Sequence, residues 1–386
     1  MDRLRLLRME LPSATSISNI GSVKGNTKIS FVKRMILGFV ILAVLGLLYV
    51  PAYHSAQGPF VGLAQLPGWT YNTSRDVKNY IHPDNITSIL SPIAICSPPP
   101  YLIVIICSSV GNYKARMAIR NTWANKSNLN LLYNSTVKVA FLLGQSDNDT
   151  LNSLVLEESL QFNDILQEKF SDTYNNLTLK SIMMLKWVTS NCEEAKFIMK
   201  TDDDMFVNIV LLMKTLHART QSKDILLGSL ICSARPILNP TNKWYMPKYM
   251  YPEKVYPNYL SGTGYVMSID AAFKLYQAAL STPLLHLEDV YITGLCAKHA
   301  KINPTNHPGF SYAPRKLEPC ILKNSITTHK INASTMYTIW NKLNNTNISC
   351  NNKQIHADKQ AVSLSRSGRN VGYYMVKRRV VSNKCV

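Results

Sequence analysis

The stretch AKFIMKTDDDMFVN, Ala195 to Asn208, constrains this chain more than any other. Phe197 to Met199 has the length of a short buried strand, and the run stops at Asp202, Asp203 and Asp204 before apolar character returns at Met205. Adjacent carboxylates at a strand end repel one another, so a fold that puts them there must supply positive charge. A divalent cation shared with a phosphate-bearing ligand would do so, because hard cations take oxygen ligands and commonly combine one or two carboxylates with phosphates. Side chains alternate along a strand, which turns Asp202 and Asp204 to one pocket and Asp203 away from it. The competing reading is a solvated turn or a helix cap, for which Asp is equally suited.

The segments around it read as a sheet. Tyr101 to Cys107, YLIVIIC, suits a strand buried on both faces, as in a parallel sheet. After the Gly111–Asn112 turn, Arg116, Ile119, Arg120 and Trp123 fall at helical spacing. Val137 to Leu143 is a second strand ending at Gly144, Asn148 to Phe170 an acidic helical region, and Leu179 to Ser190 a further helix before the third strand. This order predicts an α/β fold with a doubly wound sheet that binds its ligand at the carboxyl ends of its strands. Downstream, Asp224 to Leu230 reads as a strand and Met336 to Leu343 as a helix. Trp244, Tyr245, Tyr249, Tyr251 and Tyr256 crowd a stretch that suits a sugar platform and a core equally. Gly262 and Gly264 mark a tight turn or a close backbone approach, and Glu288 and Asp289 precede a helix-like segment.

The net charge of +19 on 386 residues raises nucleic acid as a partner, but the charge sits at the ends. Residues before 35 carry seven bases against two acids and those after 350 eight against one, which leaves a mildly basic middle suited to a small anion. Met35 to Tyr53 is uncharged and close to the ~20 residues that cross a bilayer. Lys33 and Arg34 precede it and no charge follows until Arg75, so the positive-inside rule predicts a type II anchor. The expected layout is a cytoplasmic end at 1–34, an anchor at 35–53, a Pro/Ser-rich stem at 54–95, a lumenal catalytic domain at 96–350 and a basic, disordered tail at 351–386. Nine glycosylation sequons and all eight cysteines lie downstream of the anchor, as an oxidising lumen requires, and disulfides are the default for the cysteines.

These segments resemble, in order, the animal β-1,3-galactosyltransferases of glycosyltransferase family 31. Arg116, Ile119, Arg120, Thr122 and Trp123 match RxxIRxTW, and Phe141 to Gly144 match FLLG. Trp187 and Cys192 match WxxxxC, Lys200 to Asn208 match KTDDDxFVN, Tyr256 to Ser268 match YPxYxxGxGYVxS, and Glu288 to Tyr291 match EDVY. The resemblance implies a GT-A-type, Rossmann-like catalytic domain behind an N-terminal transmembrane helix, in a single-pass enzyme of the Golgi membrane. It implies inverting transfer from a UDP-sugar, usually galactose, to the 3-hydroxyl of a terminal sugar on a glycoprotein or glycolipid, with no nucleic acid involved. UDP-N-acetylglucosamine is the alternative donor, and an inactive lumenal carbohydrate-binding paralogue the alternative of another class.

Carried onto this chain, the pattern gives Asp289 as the base, with Glu288 second. Asp204, Asp202 and His329 become ligands of Mn²⁺ or another divalent ion. Asp202, Asp203 and Lys200 lie on the nucleotide side, and Arg116 and Arg120 pair either with the pyrophosphate or with acidic neighbours. Trp123 reads as core. The resemblance further implies Cys96–Cys192 and Cys296–Cys320 bridges. EDVYITG is one residue longer than the commonest EDVYxG, which leaves the acceptor-side wall open.

Overall fold

The structure, a computed structural model, describes residues 27–56, 64–344 and 350. It divides into a unit over Met1–Leu63 and a unit over Ala64–Val386. Most of the expected cytoplasmic end and the basic tail lie outside the described residues. In the first unit one helix runs over Thr27–Ala56, and Met35, Leu37, Phe39, Leu42 and Leu47 on it are exposed. Among the described residues no helix is long and apolar enough to cross a membrane, so the span expected at 35–53 has only the sequence behind it.

The second unit is built on strands β1 (Ser88–Leu90), β2 (Leu102–Cys107), β3 (Val137–Gln145), β4 (Ile165–Ser171), β5 (Phe197–Asp202), β6 (Met205–Val207), β7 (Leu226–Ile231), β8 (Tyr259–Ser268), β9 (Thr305–Asn306) and β10 (Thr327–His329). Eight form one sheet in the order β1-β4-β3-β2-β5-β8-β7-β9, and β6 pairs antiparallel with β10. β2 is parallel to both β3 and β5, and β3 to β4, as the all-apolar β2 predicts. The expected doubly wound sheet is corrected at two strands, because β8 runs antiparallel between β5 and β7 and the edge strand β1 antiparallel to β4. Alternate residues of β2 feed two cores: Ile103 and Ile105 pack with the helix Leu177–Asn191, and Leu102, Val104 and Ile106 with Ile119 and Trp123. The chain leaves β2 to one side for β3 and returns on the other as β5, so the switch point falls between β2 and β5, where Cys107 lies opposite Asp202.

Three expectations change. The region 148–170 holds a helix, Asp149–Phe162, and then β4, whose polar Gln167 and Glu168 interrupt the apolar run yet are buried. The stem is not a spacer throughout. Leu66, Trp69, Val77 and Ile81 are buried in the core, and Lys186 Nζ donates to the carbonyls of Ile81, His82 and Asn85. The Cys96–Cys192 bridge forms as the resemblance implies, but Cys320 pairs with Cys350. Cys296 is a buried thiol packed with Ala297 and Ile302, whereas Cys320 adjoins Leu322 in the core on the other face, so the two cannot meet.

Candidate active site

The acidic triplet closes β5 at the carboxyl edge of the sheet, and its members part company there. Asp203 turns to the loop after β2, accepting from Ser108 Oγ at 2.7 Å and Asn112 Nδ2 at 2.9 Å. Asp202 Oδ1 accepts from Lys200 Nζ at 2.6 Å, and Asp204 Oδ2 lies 3.3 Å from His329 Nε2. β10 delivers that imidazole, because its antiparallel register sets His329 against Met205. His329 Nδ1 donates to the Tyr312 carbonyl at 2.8 Å, which leaves Nε2 as the nitrogen facing Asp204. Burial pulls the imidazole's proton affinity down, but the Asp204 hydrogen bond and charge more than offset it, and the net shift is upward.

Of the three expected metal ligands, the structure brings two together. Asp204 and His329 come together while Asp202 is held by Lys200, and among the described residues no group of three His, Cys, Asp or Glu side chains is gathered around one point. The pair still fits a divalent ion. One carboxylate that keeps 46% of its side-chain surface and one oriented imidazole leave the remaining positions to phosphate oxygens and water.

The arginines take the second of their two readings. Arg116, 1% exposed, pairs with Glu158 at 2.6 Å and donates to Ser108 Oγ and the Ser109 carbonyl, so it braces the loop that holds Asp203 and does not face the cleft. Arg120 is engaged by Glu158 and Asp164 and lies over the Phe141 and Phe162 rings. Trp123 is buried as expected, its indole donating to the Met205 carbonyl.

Opposite β5, Gly262 of β8 carries the other half of the site. Asp289 Oδ2 accepts from Gly262 N at 3.3 Å and Oδ1 from Val290 N at 2.9 Å. Desolvation and then the adjacent Glu288 charge push its carboxyl up to about 6, against the pull of those amides and Lys200. Glu288 accepts from the Tyr265 hydroxyl at 2.6 Å and is buried, so it is less available than its neighbour. A Cβ at Gly262 would lie 3.0 Å from Glu288 Oε2 and 3.3 Å from Asp289 Cβ, so the close approach expected here is real, whereas at Gly264 the nearest atom is 3.4 Å away. The additional residue of EDVYITG is absorbed by a π-helical turn over Tyr291–Cys296. Thr293 in that turn donates to the Asp289 carbonyl and accepts from Leu260 N, tying the turn to β8.

The aromatic stretch divides between its two readings. Tyr245 and Tyr256 are buried, while Trp244 is 48% exposed with Lys243 Nζ 4.6 Å from its ring centroid. Tyr174, also exposed, joins them at the rim. Desolvation, and then the Asp289 charge, push its phenol up to about 12. The sequence marks Asn112 only as part of a turn and Tyr265 only as part of a motif, and it singles out neither Ser108 nor Tyr174. Ser108 follows a strand end, which was its only signal.

A family model described as galactosyltransferase matches residues 114–308. β-1,3-galactosyltransferase 1 of Mus musculus and of Homo sapiens are each 40% identical over 245 residues, covering 63% of this chain and 74% of theirs. β-1,3-galactosyltransferase 2 of Homo sapiens is 39% identical over 251 residues, covering 63% of this chain and 58% of its own. Among solved structures, a galactosyltransferase in complex with donor and acceptor sugar analogues overlaps 65% of this chain and 98% of its own, at 10% identity and a TM-score of 0.32. The matched span runs from the helix after β2 through β5, β8 and Asp289 to just past β9, and the chain is a glycosyltransferase belonging to the galactosyltransferase family, glycosyltransferase family 31.

Proposed function

We propose that this protein moves galactose from UDP-galactose to the 3-hydroxyl of a terminal sugar on a glycoprotein or glycolipid, with inversion, at the lumenal face of the Golgi membrane. The uncharged stretch from Met35 to Tyr53 is its anchor, a reading supported by the sequence. The observation that carries the reaction is the placement of Asp289, a carboxylate whose proton affinity is raised to about 6, on the same sheet edge as the Asp204–His329 pair. Asp289 takes the proton of the acceptor hydroxyl as its oxygen bonds to C1 of the donor sugar. The C1–O bond to the diphosphate breaks on the opposite face, its electron pair leaves with UDP, and the proton passes from Asp289 to solvent. Asp204 and His329 would hold the divalent ion, which when bound neutralises charge on the departing diphosphate. Lys200 and Asp202 support the same edge from beneath. The exposed rings of Trp244 and Tyr174 offer the acceptor sugar an apolar wall beside the base.

Asp289→Asn tests the assignment. Transfer to acceptor is expected to fall by at least about a thousandfold while UDP binding by calorimetry stays within about twofold. In the unaltered protein kcat/KM is expected to fall tenfold per pH unit below about 6, because the base must be ionised and its carboxyl is raised to about 6. Undiminished transfer by the variant, or a flat profile from pH 7 to 4.5, assigns the base elsewhere.

A further inference from the structure

Beneath Asp289 lies a buried polar chain that the proposed chemistry does not itself use. Tyr265 and Lys200 are register partners on β8 and β5, 0% and 3% exposed. The Tyr265 hydroxyl donates to Glu288 Oε1 at 2.6 Å. Lys200 Nζ donates to Asp202 Oδ1 and to the Gly262 carbonyl, each at 2.6 Å, and lies 3.7 Å from Glu288 Oε2. Glu288 thus has one oxygen on the phenol and the other facing the ammonium, with the Gly262 backbone close against it, and its side chain is buried. Gly262 is held from both sides, its carbonyl by Lys200 and its N–H by Asp289.

We propose that Tyr265 is a positioning residue for transfer: through Glu288 and Lys200 it sets the distance between the base Asp289 and the nucleotide-side Asp202. This deepens the reading of Asp289 as base and rests on it. A buried carboxylate that loses its phenol donor must find another partner, and the nearest is the ammonium at 3.7 Å. Glu288 then closes on Lys200 and draws it from Asp202 and from the Gly262 carbonyl, and the base shifts with Gly262. Donor binding, which the Asp204–His329 pair outside this polar chain carries, changes less than the base's approach to the acceptor.

Tyr265→Phe, Glu288→Gln and Asp289→Asn in the full-length protein separate these roles, with kcat, both KM values and the melting temperature measured for each. For Tyr265→Phe the expectation is a kcat lower by roughly ten- to a hundredfold with the KM for UDP-galactose within about twofold. Glu288→Gln keeps an oxygen to accept from Tyr265 and is expected to transfer at least about tenfold faster than Asp289→Asn. An unchanged kcat in Tyr265→Phe overturns the inference, as does a Glu288→Gln variant as inactive as Asp289→Asn. Full transfer by Asp289→Asn removes the underlying reading instead.

Discussion

At the scale of single residues, the site depends on one backbone position as much as on its carboxylates. Gly262 is where β8 meets both members of the Glu288–Asp289 pair, and a methyl group there would press on a buried carboxylate and on the base together. Gly262→Ala is expected to cut kcat by about a hundredfold, whereas Gly264→Ala, whose new methyl meets only ordinary contacts, is expected to stay within about threefold of the unaltered rate. Steady-state kinetics on the two variants check this, and equal effects would contradict it. The sequence carried part of this: the acidic triplet, Asp289 and the Gly262 approach were all legible. The family pattern favours Asp204 as the direct ligand, whereas alternation along a strand puts Asp202 and Asp204 on one side and says nothing of the lysine two residues earlier that pairs with Asp202. Nor did it decide the arginines, since a guanidinium fits a phosphate or a carboxylate equally well and only the fold reveals Glu158 beside Arg116.

At the scale of elements, strands with one kind of residue were readable and strands with two were not. β2 and β5 announce themselves through continuous apolar runs. β4 hides because Gln167 serves the Gly144 carbonyl and Glu168 is buried beside it, so a core strand reads as polar. Glu168 is correspondingly pushed up to about 7 by desolvation. The π-turn after Asp289 is the structural form of a one-residue excess that the sequence displayed but could not fold. Disulfide pairing came only from the family resemblance, which held for Cys96–Cys192 and failed for Cys296–Cys320. Cys96–Cys192 joins the segment before β2 to the end of the helix Leu177–Asn191 across 96 residues. Cys96→Ser is expected to cost about 4 kcal/mol, or on the order of 10 °C in melting temperature, whereas Cys107→Ala and Cys296→Ala leave the bridges intact. Calorimetric melts of the three variants check it, and a Cys96→Ser protein that melts with the unaltered one would contradict it.

For the whole molecule, the boundary between spacer and catalytic domain lies earlier than composition suggests. Pro and Ser between 54 and 95 gave the impression of a stem, yet the backbone they punctuate carries Leu66, Trp69, Val77 and Ile81 into the core. Each such side chain contributes about 2 kcal/mol by burial. A chain begun at Ala64 is expected to melt cooperatively, and one begun at Ser97, which loses these anchors and Cys96, to be recovered unfolded. A cooperative melt from the shorter chain would contradict the boundary. The charge of the described middle, by contrast, was legible from composition, since mild positive charge around an acidic strand end suits a small phosphate-bearing ligand.

The central claim is that the edge closed by Asp204 and His329 works on a departing diphosphate with a divalent ion, and the initial rate of galactose transfer from UDP-galactose tests it most directly. Full-length protein stripped with chelator is predicted to transfer at background and to recover its rate when Mn²⁺ is returned, with His329→Ala requiring more of the ion for half-recovery. Transfer at the same rate with every divalent ion removed would contradict the account.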